Sequence, residues 1–375
     1  MILTGLLVGL SLGFVMQRGR FCITGAFRDV WLTGSTRWLT AFAVVIATHA
    51  VGYLALTSLG VIDVAVEPLP LAAAVVGGLV FGIGIVLAGG CATGTYYRAG
   101  EGLVGSWFAL GFFALTAAMM KFGPLAGFTT WAREQTVGAT TVSNTLGLPD
   151  WALVGVLVAG TALAVRHHLR RDAARPAAAS LPPRRRGVAR VLTEMRWHPF
   201  ATALVIAGIA TVAWPLSIAA GRVGSLGITT PSAKSVEYLA TGDLTLVDWS
   251  VLLVVGILLG SFLAARASGE FRVRVPDAST IHRAIGGGAA MGVGASLAGG
   301  CTVGHGMVAT AQLSWEGWIA TVMMFVGAGI AARVAVANRA SQSAPVATDD
   351  TPATQVGERP AEGTDRPAPV LTPIS

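Results

Sequence analysis

The sequence predicts an all-α integral membrane protein with about nine transmembrane helices, arranged as two inverted repeats, with the N-terminus outside and the C-terminus inside. Three observations carry that expectation. The 375-residue chain is 53% hydrophobic and 12% charged, whereas soluble domains carry about a quarter charged residues. It contains several stretches near the roughly 20 apolar residues that a helical span needs. Finally, FGIGIVLAGGCATG at Phe81–Gly94 and MGVGASLAGGCTVG at Met291–Gly304 match at eight of fourteen positions, with an offset of 210.

Taken in chain order, the clear spans are Thr36–Leu59, Leu71–Gly90, Leu103–Met120, Trp151–Val165, Phe200–Ile218, Trp249–Ala265 and Trp315–Val336. Ile2–Met16 and Ala284–Gly299 are shorter or richer in glycine and complete the nine. Met1–Gln17 lacks the basic segment and small-residue cleavage site of a secretory signal, so the first span is expected to be retained. Gly5, Gly9 and Gly13, like Gly256 and Gly260, recur every four residues and mark close helix packing. Gly89-Gly90 and Gly299-Gly300 are adjacent pairs, and they read as helix breaks whose freed backbone faces a cavity instead of lipid.

The net charge of +7 fits membrane topology better than nucleic-acid binding, because basic residues gather in cytoplasmic loops. With nine spans starting outside, all but Lys121, Arg133, Arg222 and Lys234 of the 26 lysines and arginines fall inside. Residues 1–165 read as the first repeat plus one extra span, 166–198 as a cytoplasmic Arg/Pro-rich linker and 199–337 as the second repeat. From 338 to 375 the Pro-, Thr- and acid-rich composition predicts a disordered cytoplasmic tail. Five crossings separate the starts of the two halves, and an odd number inverts the second. Such repeats place a substrate site near the midplane. RGRFCIT at Arg18–Thr24 corresponds weakly to VGSLGIT at Val223–Thr229, with Cys22 opposite Gly227.

The chain has three cysteines, Cys22, Cys91 and Cys301. A single cysteine in an apolar segment is commonly a small inert hydrophobe. These three all lie beside glycine-rich breaks, and two occupy equivalent positions in the two halves, which favours a shared site. Buried thiols stay protonated at neutral pH, giving weak S–H donors with polarizable sulfur. Such groups suit a soft, sulfur-containing anion, and weak sites admit an ion and also release it. Helix N-termini at the breaks supply compensation for the anion's lost water.

The strings QRGRFCITGAF (Gln17–Phe27), GGCATGTYYRAGEG (Gly89–Gly102) and GGCTVGHG (Gly299–Gly306) resemble the signature loops of the YeeE/YedE family of bacterial inner-membrane sulfur-compound transporters. The resemblance covers both halves, roughly Met1 to Arg333. It implies passage of thiosulfate along Cys91, Cys22 and Cys301 through S–H contacts in an hourglass-shaped centre. It also implies a TusA-like sulfur carrier as cytoplasmic partner.

The candidate pathway residues are therefore Cys22, Cys91 and Cys301 with Gly90, Gly300, Arg20 and His305. Arg20, two residues before Cys22, is a candidate attractor of anion. His305 follows Cys301 by four, a spacing that places both on one α-helical face, but one Cys/His pair falls short of a zinc site. No metal, cofactor or catalytic residue is expected. Arg98 and Glu101 are expected to pair at the membrane surface, and His49 to be a packed, hydrogen-bonded histidine. Lys121 and Lys234 are either anion attractors or ordinary interfacial charges. Besides thiosulfate transport, two readings stay open: a membrane sulfurtransferase forming a cysteine persulfide, and a transporter of another sulfur or selenium species.

Overall fold

The computed structural model describes residues 1–174 and 186–342, with side chains through 337. The tail expected from 338 and the middle of the linker fall largely outside the described residues. Among those described the chain is helical, with three isolated β-bridges. The first half contains α1 (Leu3–Gly19), α2 (Ile23–Thr33), α3 (Arg37–Ser58), α4 (Leu71–Leu87), α5 (Ala92–Gly100) and α6 (Val104–Lys121). Short helices α7 (Ala126–Glu134) and α8 (Val142–Leu146) precede α9 (Asp150–Ala173) and α10 (Gly187–Thr193). The second half has α11 (Pro199–Ala219), α12 (Thr229–Thr241), α13 (Trp249–Ala267), α14 (Ala278–Ala298) and α15 (Trp315–Gln342). A π-turn over Gly304–Ala309 joins α14 to α15.

Eight stretches are long and apolar enough to cross a membrane. Two join a pair of helices across a break: Leu3–Thr33 takes in α1 and α2, and Leu71–Gly100 takes in α4 and α5. The ninth expected span, α14, is 21 residues long but does not qualify on hydropathy, since five glycines, a histidine and an arginine dilute its apolar content. It packs between α4 and α6, where small residues serve better than large apolar ones. The helix of the span expected over Trp151–Val165 continues to Ala173. Only Val154 along α9 is buried.

The glycines fix the helix directions. An added Cβ on Gly77 would lie 2.7 Å from the Gly294 carbonyl, and one on Gly294 would lie 2.7 Å from the Gly77 carbonyl. Gly84 and Gly287 stand in the same reciprocal relation at 2.8 Å. Residue numbers rise on one helix as they fall on the other, so α4 and α14 are antiparallel. Each then packs parallel to another helix in an equivalent way. Gly78 and Gly82 of α4 meet Ala320 and Met324 of α15, while Gly288 and Gly292 of α14 meet Ala109 and Phe113 of α6. Gly78 and Gly288, and Gly82 and Gly292, are partners at the same 210-residue offset as the cysteines. The packing at the centre is therefore exchanged by the duplication.

Candidate functional site

Each duplicated segment ends its long helix in a left-handed glycine, Gly89 at φ +71° and Gly299 at φ +85°. This conformation costs other residues about 1–2 kcal/mol. The second glycine of each pair is there for closeness. A Cβ on Gly300 would collide with the His305 ring, and one on Gly90 would sit 3.3 Å from Arg98 Nη1. The break then delivers a cysteine. Cys91 is the N-cap of α5, and its sulfur accepts the Gly94 N–H at 3.4 Å. Cys22 is the N-cap of α2, with the Gly25 N–H close to its sulfur though not aligned as a full cap. The Cys301 carbonyl accepts from the N–H of His305 at 2.8 Å.

All three cysteines are buried and unbridged. The sulfurs of Cys22 and Cys91 lie close together and flank one point. A Cβ added to Gly94 would lie 3.3 Å from Cys91 Sγ and 3.4 Å from Cys22 Sγ. Cys91 also neighbours the hydroxyl of Thr302, the residue after Cys301. By these contacts Cys91 stands next to both Cys22 and the Cys301 segment. The order implied by the resemblance puts Cys22 in that position.

Beside Cys301 lies a cavity of about 320 Å³, lined by Gly227, Thr229, Gly299, Gly300, Cys301 and His305 among others. Gly227, the residue opposite Cys22 in the repeat alignment, thus lines the same space as Cys301. Gly304 lines it too, with no atom within 4 Å of where its Cβ would be.

Arginines hold both breaks. Arg98 donates through Nη1 to the Gly89 carbonyl, and its Nη2 lies 3.9 Å from Cys22 Sγ. In the second half Arg133 donates to the Leu297 carbonyl at 3.2 Å and pairs with Glu316 at 2.8 Å. His305 Nε2 is 3.3 Å from the same Glu316 oxygen. Neither Arg133 nor Glu316 belongs to a duplicated string, so the repeat does not point to this pair.

Three expectations require correction. Arg98 and Glu101 do not pair. Arg98 lies at the last turn of α5 and folds back onto the break, while Glu101 takes Arg20 at 2.8 Å and 3.0 Å. Arg20 is no unpaired attractor of anion, because Glu270 also holds it at 2.8 Å. Burial alone would raise the Glu270 carboxyl, but Gln17, Arg20 and Arg18 outweigh it and hold the group below the ordinary carboxylate range. His305 shares no α-helical face with Cys301, since Cys301 precedes the helical residues and His305 lies in a π-turn.

His49 is a packed histidine, as expected. Its Nε2 accepts from Trp214 at 3.1 Å, which leaves Nδ1 to donate to the Met307 carbonyl at 3.0 Å. It so ties α3 and α11 to the π-turn behind Cys301. Lys234 pairs with Asp248 at 2.6 Å, and that interfacial pairing accounts for its charge.

Residues 18–330 match the profile of the family described as sulphur transport. The chain is 47% identical over 327 residues to the thiosulfate transporter TsuA of Escherichia coli K12, covering 87% of this chain and 92% of that protein. It is 33% identical over 349 residues to the thiosulfate transporter TsuA of Spirochaeta thermophila, covering 87% and 97%. A shorter match, 45% over 106 residues, reaches the probable transporter YedE of Escherichia coli K12, covering 28% of this chain and 25% of that protein.

Proposed function

The chain belongs to the sulphur transport family, and from that premise we propose that it carries thiosulfate across the bacterial inner membrane, N-terminus outside, along a path lined by Cys22, Cys91 and Cys301. One observation carries the path: the sulfurs of Cys22 and Cys91 flank Gly94, and Cys91 neighbours the residue that follows Cys301. The cysteine sulfurs offer the terminal sulfur of thiosulfate weak, soft contacts, so the ion is held without being trapped. The names of the two long relatives support the substrate.

The expected inversion of 199–337 against 1–165 gives the two ends of the path equivalent construction. The reciprocal glycine contacts of α4 and α14 support it. With the N-terminus outside, the Cys301 cavity opens outward and the Arg20 cluster lies inward. A TusA-like carrier at the cytoplasmic face, accepting sulfur as it arrives, is part of the same proposal, and so is the membrane lipid around the spans.

Uptake of radiolabelled thiosulfate by purified protein in liposomes, with sulfate as competitor, tests the reading. The expected result is intact thiosulfate inside, little competition by sulfate, and loss of uptake in Cys91→Ala. Sulfite released outside with sulfur left on the protein would overturn it.

A further inference from the structure

Six buried serine and threonine hydroxyls have no hydrogen-bond partner among the described residues, and four of them come within two residues after a cysteine or Gly227. Thr24 comes two residues after Cys22, Thr93 two after Cys91, Thr302 one after Cys301, and Thr229 two after Gly227. Their exposures are 3%, 0%, 0% and 4%. An unpaired hydroxyl in a protein interior is destabilising, and native structures rarely keep one without a use.

Their position explains why they are unpaired. A buried helical threonine can donate to the carbonyl four residues back, as Thr310 does to Gly306. Thr24, Thr93 and Thr229 lie in the first turns of α2, α5 and α12, so that carbonyl falls outside their own helix. For Thr93 it belongs to Gly89 and already accepts from Arg98. For Thr229 it belongs to Ser225 and accepts from Arg222. Arginines thus occupy the acceptors of Thr93 and Thr229, and those two hydroxyls stay available.

They are available at the proposed path. Thr229 lines the 320 Å³ cavity beside Cys301, and the Thr302 hydroxyl neighbours the Cys91 thiol. The first turns of α2, α5 and α12 also present backbone N–H groups and the positive end of the helix dipole, which favour an anion. Thiosulfate has two unlike ends, a soft terminal sulfur and three hard oxygens. Thiols match the first and hydroxyls the second.

We infer that the hydroxyls of Thr24, Thr93, Thr229 and Thr302 form the oxygen-recognising half of the substrate site, donating to the sulfonyl oxygens of a sulfur oxyanion while the cysteines meet its terminal sulfur. This rests on the proposed transport of thiosulfate. It adds the means by which an anion carrying both kinds of atom is told from one carrying oxygen alone or sulfur alone.

Thr93→Val and Thr229→Val, each paired with the serine variant, test it through KM and maximal rate of thiosulfate uptake in liposomes, alongside the thermal midpoint of the detergent-solubilised protein. Valine keeps the shape and deletes the donor. The expected result is a KM raised about tenfold or more, since hydrogen bonds to charged groups are the strong ones. The midpoint should stay unchanged or rise, and serine should restore a near-native KM. An unchanged KM would overturn the inference, and so would a lowered midpoint or misfolding of the valine variants, which would mark the hydroxyls as structural. Wild-type protein that takes up no thiosulfate would remove the functional reading itself, whereas wild-type uptake with native KM in both valine variants removes this inference alone.

Discussion

The Arg98 guanidinium lies 3.9 Å from the Cys22 sulfur while the same side chain holds the Gly89 carbonyl at the break. Arg20, closer to Cys22 in sequence, is neutralised by Glu101 and Glu270. Arg98 is therefore the cation that an anion at the paired thiols would meet, and an unhydrated anion without a compensating charge is costly. Arg98→Gln should lower thiosulfate uptake at least tenfold. Arg20→Gln should chiefly lower the thermal midpoint, because it leaves Glu101 buried without its partner. Uptake rates and midpoints of both variants in one preparation check this, and equal losses of uptake would reject the division of roles.

Gly94 offers a sharper steric probe of the thiol pair. A methyl there would stand 3.3 Å and 3.4 Å from the two sulfurs, tighter than ordinary van der Waals contact, with no backbone atom in the way. Gly94→Ala should fold with a midpoint near that of the wild type. Alanine even favours α5, by up to about 1 kcal/mol relative to glycine. Uptake should fall severalfold or more, because the methyl fills the point both thiols face. Native uptake by this variant would show that the substrate does not pass between Cys22 and Cys91.

What the sequence discloses and what it hides have physical reasons. The breaks are legible because a left-handed turn at Gly89 and Gly299 and a close approach at Gly90 and Gly300 tolerate few other residues, and the duplication prints them twice. The cysteines are legible because they are few and sit where the breaks end. Span α14 is harder to read, since its glycines serve α4 and α6 at the expense of hydropathy. The partners of Arg20 and Arg133 are not legible at all. Glu101, Glu270, Leu297 and Glu316 come from remote segments, and no periodicity connects charges that the fold alone brings together. The threonines carry a signal of their own: Ile-Thr follows both Cys22 and Gly227, and the repeat places both hydroxyls in the first turns of α2 and α12.

Gly84 and Gly287 tie the two halves at their centre, each with the space for a Cβ taken by the other's carbonyl at 2.8 Å. Backbone cannot yield as a side-chain tip can. Gly84→Val or Gly287→Val should each destabilise the protein by about 1–3 kcal/mol, the usual cost of overpacking. The equivalence of the two contacts predicts similar drops in thermal midpoint. Gly286→Val is the control, since its Cβ would meet open space, and its midpoint should stay close to native. A large gap between the Gly84 and Gly287 variants would argue against a centre built by exchange symmetry.

Asp248 and Lys234 join α12, which follows the Gly227–Ile228 segment beside the Cys301 cavity, to the start of α13. Asp248 also caps α13 through the N–H groups of Ser250 and Val251 at 2.8 Å and 3.0 Å. Burial alone would raise its carboxyl, but Lys234, Ser250 and Val251 outweigh burial and hold it below the ordinary carboxylate range. A depressed folded-state value means that the unfolded chain takes up the proton first. The stabilisation is therefore complete above the unfolded value near 4 and is lost as pH falls through the lower folded value. Asp248→Asn keeps a side-chain oxygen for the cap and removes the charge, whereas Asp248→Ala also deletes the cap, at a further cost of about 1 kcal/mol. In thermal unfolding between pH 8 and pH 3, the gap between wild type and Asp248→Asn should stay constant down to about pH 5 and narrow below about pH 4. A gap that persists unchanged to pH 3 would show that the charge on Asp248 does not hold α12 in place.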